Sequence, residues 1–174
     1  MLKLIKYNDP ILYTKTEPFN FETDGDPVAY ANDLKETAKH YGGYGLSDNQ
    51  VGRNKAVFVF GINGDYIAVF NPVITYVSTD TSMMDEGCLS FPGLIAKIER
   101  SNEIRTRYMN DKGGLQVHKF AGLTARIFQH EYGHLQGKPF FSGFSKLKVD
   151  MMVKKCHKAT KIDYSTKELM GLRA

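Results

Sequence analysis

Gln129-His130-Glu131-Tyr132-Gly133-His134 is the stretch on which the reading of this chain turns. Residues four apart on an α-helix share a face, so the two imidazoles can close on one ion. Glu131, between them, sits where a carboxylate can take a proton from a metal-bound water. An H-E-x-x-H string is a hypothesis until its context agrees. The competing reading is a pair of capped or surface histidines on an amphipathic helix. Periodicity weighs against it. Leu123, Ile127, His130 and His134 fall at steps of four, three and four, so both histidines continue an apolar face. Arg126, Gln129 and Gln136 are expected largely elsewhere on the helix. Two imidazoles aimed into a core without partners cost about 1–3 kcal/mol each, and a metal ion satisfies both. The helix is predicted from about Ala121 to Gln136, stopped by Gly137 and Pro139.

The rest of the chain is read outward from this helix. Its 174 residues, 42% hydrophobic, suit one domain over residues 1–174 with a real core. No apolar run is long enough for a membrane span, and Met1-Leu2-Lys3-Leu4-Ile5-Lys6 lacks the pattern of a signal or transit peptide. Two cysteines far apart point to a reducing compartment rather than a disulfide framework, and the expected location is the cytoplasm. The net charge of +4 is unevenly placed. From Lys146 on there are eight Lys/Arg against three acids, while the other 145 residues carry 15 basic and 16 acidic side chains. The basic segment 146–174 is either a solvated helix face or an electrostatic contact with a polyanion such as RNA.

Leu2 to Ile5 reads as an edge strand closed by Asp9-Pro10. A helix begins at Asp26, an N-cap followed by Pro27, and carries Val28, Ala31, Leu34, Ala38 and Tyr41 on one face until Gly42 ends it. Ala56 to Gly61 and Tyr66 to Phe70 read as strands joined by the Asn63-Gly64 hairpin signal. Val73 to Val77 reads as a third strand. Ile104 to Tyr108 and Leu115 to Phe120 form a hairpin around Asp111-Lys112-Gly113-Gly114. A last helix is expected from about Lys148 to Lys161. Helices and antiparallel strands in this order give an α+β fold, with antiparallel sheets around the signature helix.

A tetrahedral catalytic site needs a third protein ligand. One metalloprotease pattern takes it from a histidine six residues after the second, where this chain has Phe140. A downstream glutamate is the other version, and the only one is Glu168, near the end of the chain. The ligand is better sought upstream. Cys88 is the outstanding residue there, held between Gly87 and Ser90, and Cys-His-His is an acceptable set for Zn²⁺ or Fe²⁺. A buried structural cysteine or a free nucleophile are its alternatives. Cys156, among lysines, reads as an inert or mildly activated surface thiol. Gly43-Tyr44-Gly45, two glycines around an aromatic, suggests a backbone that something approaches closely.

Taken together, Gly43-Tyr44-Gly45-Leu46 with Gln50, Glu86-Gly87-Cys88-Leu89-Ser90, and Gln129-His130-Glu131 with His134 resemble the three ordered motifs of peptide deformylases. Lys3-Leu4-Ile5 and Asp9-Pro10-Ile11-Leu12 resemble that family's N-terminus, so the likeness covers most of the chain. It implies removal of the formyl group from N-terminal formylmethionine of newly made polypeptides, releasing formate. It further implies that Cys88, His130 and His134 bind one divalent ion, Fe²⁺ in the cell and replaceable by Zn²⁺ or Ni²⁺. Glu131 is then the general base and afterwards the acid. Gln50, by its amide, and Leu89, by its backbone N–H, stabilise the oxyanion. Gly45 and Gly87 let an extended peptide pair with the cleft walls. Tyr44, Met84, Leu123 and Ile127 form the methionine pocket, and Gly43 and Glu86 complete the substrate-binding set. Family members with basic C-terminal helices act at the ribosome exit, so the tail is expected to bind ribosomes and to be dispensable for turnover of short peptides by the monomer.

Two departures stand out. Ser47-Asp48-Asn49 replaces the usual Ala-Ala-Pro before the glutamine, and is expected to make the entrance more polar. Gly133 replaces an Asp whose partner would be an Arg such as Arg100. Glycine costs about 1 kcal/mol in a helix interior, so Gly133→Asp is expected to raise thermal stability, with Arg100 meanwhile turned to Glu86. A zincin-like peptidase, disfavoured by Phe140, and a non-catalytic binder of formylated N-termini, disfavoured by Glu131 and Gln50, are the competing functions.

Overall fold

The run Val57-Phe58-Val59-Phe60 is apolar without interruption because both of its faces are covered. Val57 and Val59 join one core cluster with Ala31, Leu34 and Leu46. Phe58 and Phe60 join another with Ala125, Ile127 and Phe128. One strand thus separates the N-terminal helix from the signature helix. The computed structural model describes residues 1–62 and 65–171.

Helix α1 spans Pro27–Tyr41, capped by the Asp26 side chain and ended by Gly42 at φ 67, as its boundary residues predict. Of its expected apolar face, Ala31, Leu34 and Ala38 are buried, while Val28 and Tyr41 stay exposed. Strand β1 is Gly45–Ser47 and leads into a 3₁₀ turn, Asp48–Val51. Strands β2 (Val57–Ile62), β3 (Asp65–Val77), β6 (Glu103–Met109) and β7 (Leu115–Ala121) complete an antiparallel sheet in the order β1-β2-β3-β6-β7. Strands β4 (Thr81–Glu86) and β5 (Ala96–Ser101) form a separate two-stranded ribbon. The signature helix is α2, Gly122–Leu135; α3 is Lys146–Thr160 and α4 is Thr166–Gly171. The α+β architecture is as expected.

Several expectations need correction. Leu2 to Ile5 is not a strand: Leu2 N–H donates to Thr37 Oγ1, Ile5 N–H donates to the Gln50 carbonyl, and Leu2 and Leu4 pack against the α1 cluster. The segments Tyr66 to Phe70 and Val73 to Val77 are one strand, continued through an irregularity at Asn71. Asn71 takes φ 50 and its amide brackets the Phe19 backbone. Asn63-Gly64 lies outside the described residues. The β4-β5 ribbon went unread because only Glu86 and Ile98 of its side chains are buried, so it shows no buried alternation.

The C-terminal segment is part of the core rather than an appendage. Val149, Met152, Cys156, Tyr164 and Leu169 cluster with Leu12, Phe91, Leu94 and Phe141. Cys156 is therefore a buried thiol, set against Gly93, not a surface one. Glu168 belongs to α4 and accepts a hydrogen bond from Tyr7. No helix among the described residues is long and apolar enough to cross a membrane. Met152→Ala is expected to cost about 2–5 kcal/mol of stability. A lowered urea midpoint checks it, and an unchanged midpoint would show that α3 does not rest on this core.

Candidate metal centre and cleft

Helix α2 presents His130 and His134 one turn apart, as their spacing requires. Cys88 comes to them from the turn that follows β4. The three ligand atoms all lie within 4.8 Å of one another, and Cys88 Sγ is 3.2 Å from His134 Nε2. Phe140, at the position where a downstream histidine was sought, stacks on the His130 ring with centroids 6.0 Å apart.

Behind His130 lies a buried ionic cluster centred on Glu86, the last residue of β4. Arg100 donates to both of its oxygens at 2.7 and 2.8 Å, as expected of that arginine. Arg126 donates to Oε1 at 2.7 Å, and His130 Nδ1 is 2.9 Å from Oε2. Burial alone would raise the Glu86 pKa. The hydrogen bonds and charges of Arg100 and His130 overcome that and hold it at about 2. An ionised Glu86 accepts from Nδ1–H and leaves His130 Nε2 to face Cys88 and His134, the usual support for a metal-ligating histidine. Arg126 corrects the helical reading. It is buried, not elsewhere, and residues 126, 130 and 134 run at steps of four on one face. That spacing was present in the sequence.

Glu131 is buried, and its pKa is raised by burial, against the opposing effects of the His130 charge and the Ser47 hydrogen bond. Burial, with the charges of His130 and Arg100, pushes His134 well down, which favours the neutral imidazole. Burial works against charge on His130 too, but hydrogen bonds to Cys88 and Glu86 raise its pKa to about 10. Cys88, His130 and His134 thus bring one thiol and two imidazole donors together. A divalent cation fits that donor set.

Gln50 reaches the same point with its amide orientation defined. Its Oε1 accepts from Ser47 N–H at 2.9 Å, so Nε2 turns toward Cys88 Sγ at 3.4 Å and Ser90 Oγ at 3.1 Å. Gly43 leaves room for Leu89, whose Cδ1 would be 2.7 Å from a Cβ there. Gly43, Tyr44, Gly45, Gln50, Met84, Glu86, Gly87, Cys88, Leu89, Leu123, Ile127, His130 and Glu131 all line one cleft of about 650 Å³. Ile127 is buried at its base, while Tyr44, Met84 and Leu123 are exposed at the rim.

Ser47-Asp48-Asn49 does not form a polar entrance. All three residues are buried and face inward. Ser47 Oγ is 2.7 Å from Glu131 Oε2, and Asn49 donates to the His134 carbonyl at 2.7 Å. Asp48 accepts from Tyr30 Oη and Lys55 N–H, both at 2.8 Å, and burial pushes its pKa up to about 6 against those bonds. These partners were missed because a short polar run reads as a loop. The expected gain from Gly133→Asp is also withdrawn. A Cβ at Gly133 would lie 3.0 Å from the Lys138 carbonyl oxygen, and the Lys138 N–H already closes that turn on the Gly133 carbonyl at 2.9 Å.

An H-E-x-x-H helix that meets a cysteine thiol at the base of an open cleft defines a metal-dependent hydrolase. The family model described as Polypeptide deformylase matches residues 1–150, and the chain belongs to that family. A peptide deformylase of Thermotoga petrophila is 36% identical over 155 residues, covering 89% of this chain and 94% of that protein. The crystal structure of peptide deformylase from Thermus thermophilus superposes with a TM-score of 0.83 at 31% identity, over 99% of this chain and 98% of that one. The Synechococcus elongatus enzyme, solved in complex with actinonin, gives a TM-score of 0.82 at 27% identity, over 94% and 90% of the two chains. Glu86→Gln should lower metal affinity about 10–100-fold, measured by chelator competition. Unchanged affinity would mean that Glu86 does not support His130.

Proposed function

We propose that this cleft hydrolyses the formyl amide of N-terminal formylmethionine in newly made polypeptides and releases formate. The observation that carries the reading is the convergence of Cys88, His130 and His134 within 4.8 Å, in a cleft that Glu131 and Gln50 also line. Cys88, His130 and His134 are the metal ligands. Fe²⁺ is the expected ion in the cell, with Zn²⁺ or Ni²⁺ able to replace it. When bound, the ion supplies Lewis acidity that makes water nucleophilic near neutral pH.

The chain's own residues do the rest. Glu131 takes a proton from the attacking water and returns it to the leaving amine. Gln50 Nε2 and the Leu89 backbone N–H bind the oxygen on which negative charge develops, each worth about 2.7–4 kcal/mol in such a role. Gly45 and Gly87 allow the peptide backbone to lie against the walls, and Gly43 keeps space for Leu89. Ile127, with Tyr44, Met84 and Leu123, receives the methionine side chain. Glu86 supports this wall through His130 and Arg126. The protein acts in the cytoplasm as a monomer, one catalytic domain over residues 1–174, and the core packing of Val149, Met152 and Leu169 supports that unity.

Anaerobically purified protein should release formate from formyl-Met-Ala-Ser, and Glu131→Gln should lower kcat about 10²–10⁴-fold. Full metal load without formate would leave a binder of formylated termini, and cleavage of an internal peptide bond would make it a peptidase.

The basic segment 146–174 contacts the ribosome. Helix α3 buries Val149, Met152 and Cys156 and exposes Lys154, Lys155 and Lys158 with Leu147 and Met151, which supports an outward cationic face. Because the inner side is core, deleting the tail would disturb the fold, and charge reversal is the cleaner test. Reversing Lys154, Lys155 and Lys158 to Glu should weaken salt-sensitive co-sedimentation with ribosomes and leave short-peptide turnover intact. Undiminished co-sedimentation would make the lysines a solvated face.

A further inference from the structure

Strand β1 is only three residues long, yet its two faces serve different purposes. Successive side chains in a strand point to opposite sides. Leu46 enters the core beneath α1, so Gly45 and Ser47 share the other face, toward α2. There they meet one side chain, Glu131. A Cβ on Gly45 would lie 2.5 Å from Glu131 Oε1 and 2.7 Å from its Cδ and Cγ. The end of the Glu131 side chain therefore occupies the space that a side chain on residue 45 would need. Two residues on, Ser47 Oγ is 2.7 Å from Oε2 and 3.1 Å from the main-chain oxygen of Glu131. A hydroxyl has one proton to give, and the shorter contact to the carboxylate is charge-assisted.

We propose that Ser47 is a positioning residue for the reaction, one that holds Glu131 Oε2 from behind and presents Oε1, beside Gly45, to the cleft. This rests on the reading of Glu131 as the general base. The need for such a hold follows from the torsion. The terminal χ3 of glutamate is a broad well with no strong staggered preference, so the side chain does not by itself fix the carboxylate plane or aim an oxygen at the reacting water. By itself Gly45 leaves room for the carboxylate but does not fix its χ3. The Ser47 hydroxyl does. Productive geometry tolerates errors of only about 0.5 Å, so losing this one donor should be visible in the rate.

Ser47 also donates its backbone N–H to Gln50 Oε1. One residue thus links the base to the amide proposed for the oxyanion. Any substitution other than proline keeps that N–H, while loss of the hydroxyl also removes its half of the capping box with Gln50 at the turn Asp48–Val51. Asn49, from the same segment, bonds the His134 carbonyl, so the helix remains held when the hydroxyl is removed.

The test compares Ser47→Ala, Ser47→Cys and Glu131→Gln with the unsubstituted protein, all metal-loaded, on formyl-Met-Ala-Ser. In Ser47→Ala, kcat should fall about tenfold, about 1.4 kcal/mol of barrier, while KM stays within about twofold. Metal affinity by chelator competition should not change. Ser47→Cys refills the buried space with a weak donor, and should also lose kcat even where its melting temperature matches that of the unsubstituted protein. The proposal is overturned if kcat is unchanged, if kcat in the two variants merely follows melting temperature, or if KM or metal affinity shifts in the same proportion. If Glu131→Gln keeps full kcat, the reading of the base itself fails. If Glu131→Gln is inactive and Ser47→Ala is not impaired, only the role of Ser47 fails.

Discussion

Glu86 is a carboxylate buried beneath the wall of the cleft, and much of the site's geometry depends on the cations arranged around it. An unpaired charge in such a place is strongly destabilising, and breaking a buried pair by removing one partner typically costs about 3–5 kcal/mol. Here Arg100 comes from β5, Arg126 and His130 from α2, and Glu86 itself from the end of β4. The cluster therefore fastens the β4-β5 ribbon to the signature helix. Arg126 adds to this by donating to the main-chain carbonyls of Ser82 and Ile98, one on each ribbon strand. A ribbon that buries so few of its own side chains gains its fixed place from these polar bonds. Cys88, two residues beyond Glu86, inherits that place.

The opposite wall works by a different principle. Strand β1 is held to β2 by the ladder that pairs Gly45 with Phe60 and Ser47 with Phe58, and β2 is buried on both faces. The hydrophobic core therefore determines where β1 runs, and β1 in turn determines where the Glu131 carboxylate lies. Gly45 is required there by space rather than by a special backbone angle, since the carboxylate occupies the volume a side chain would need. The site is built between a polar clamp on one side and an apolar sandwich on the other, with α2 common to both.

The C-terminal segment shows how charge can mislead about architecture. Its lysines suggested a detachable tail, but the side chains between them are spaced to bury Val149, Met152 and Cys156 against Phe91 and Leu94. Phe91 and Leu94 belong to the loop that follows Cys88. Helix α3 is thus a support for the ligand-bearing loop, and its basic residues decorate the surface that remains.

The sequence by itself determined the elements whose signals are local. Asp26-Pro27 and Gly42 bounded α1, the period of the signature helix put His130 and His134 on one face, and the continuous apolar run from Ala56 to Gly61 marked a strand. It also singled out Cys88, Glu131 and Gln50, through three ordered motifs that resemble one family. Only the tertiary structure decided how Arg126, Ser47 and Asn49 are used, that β4 and β5 are strands at all, and that α3 is core. For Ser47, Asn49 and the ribbon the physical reason is the same. A polar side chain on a short loop or a sparsely buried ribbon carries no periodic signature, because its partner lies far away in sequence. Such residues acquire a role only when the chain has folded and a buried carbonyl or carboxylate is brought within reach of a donor.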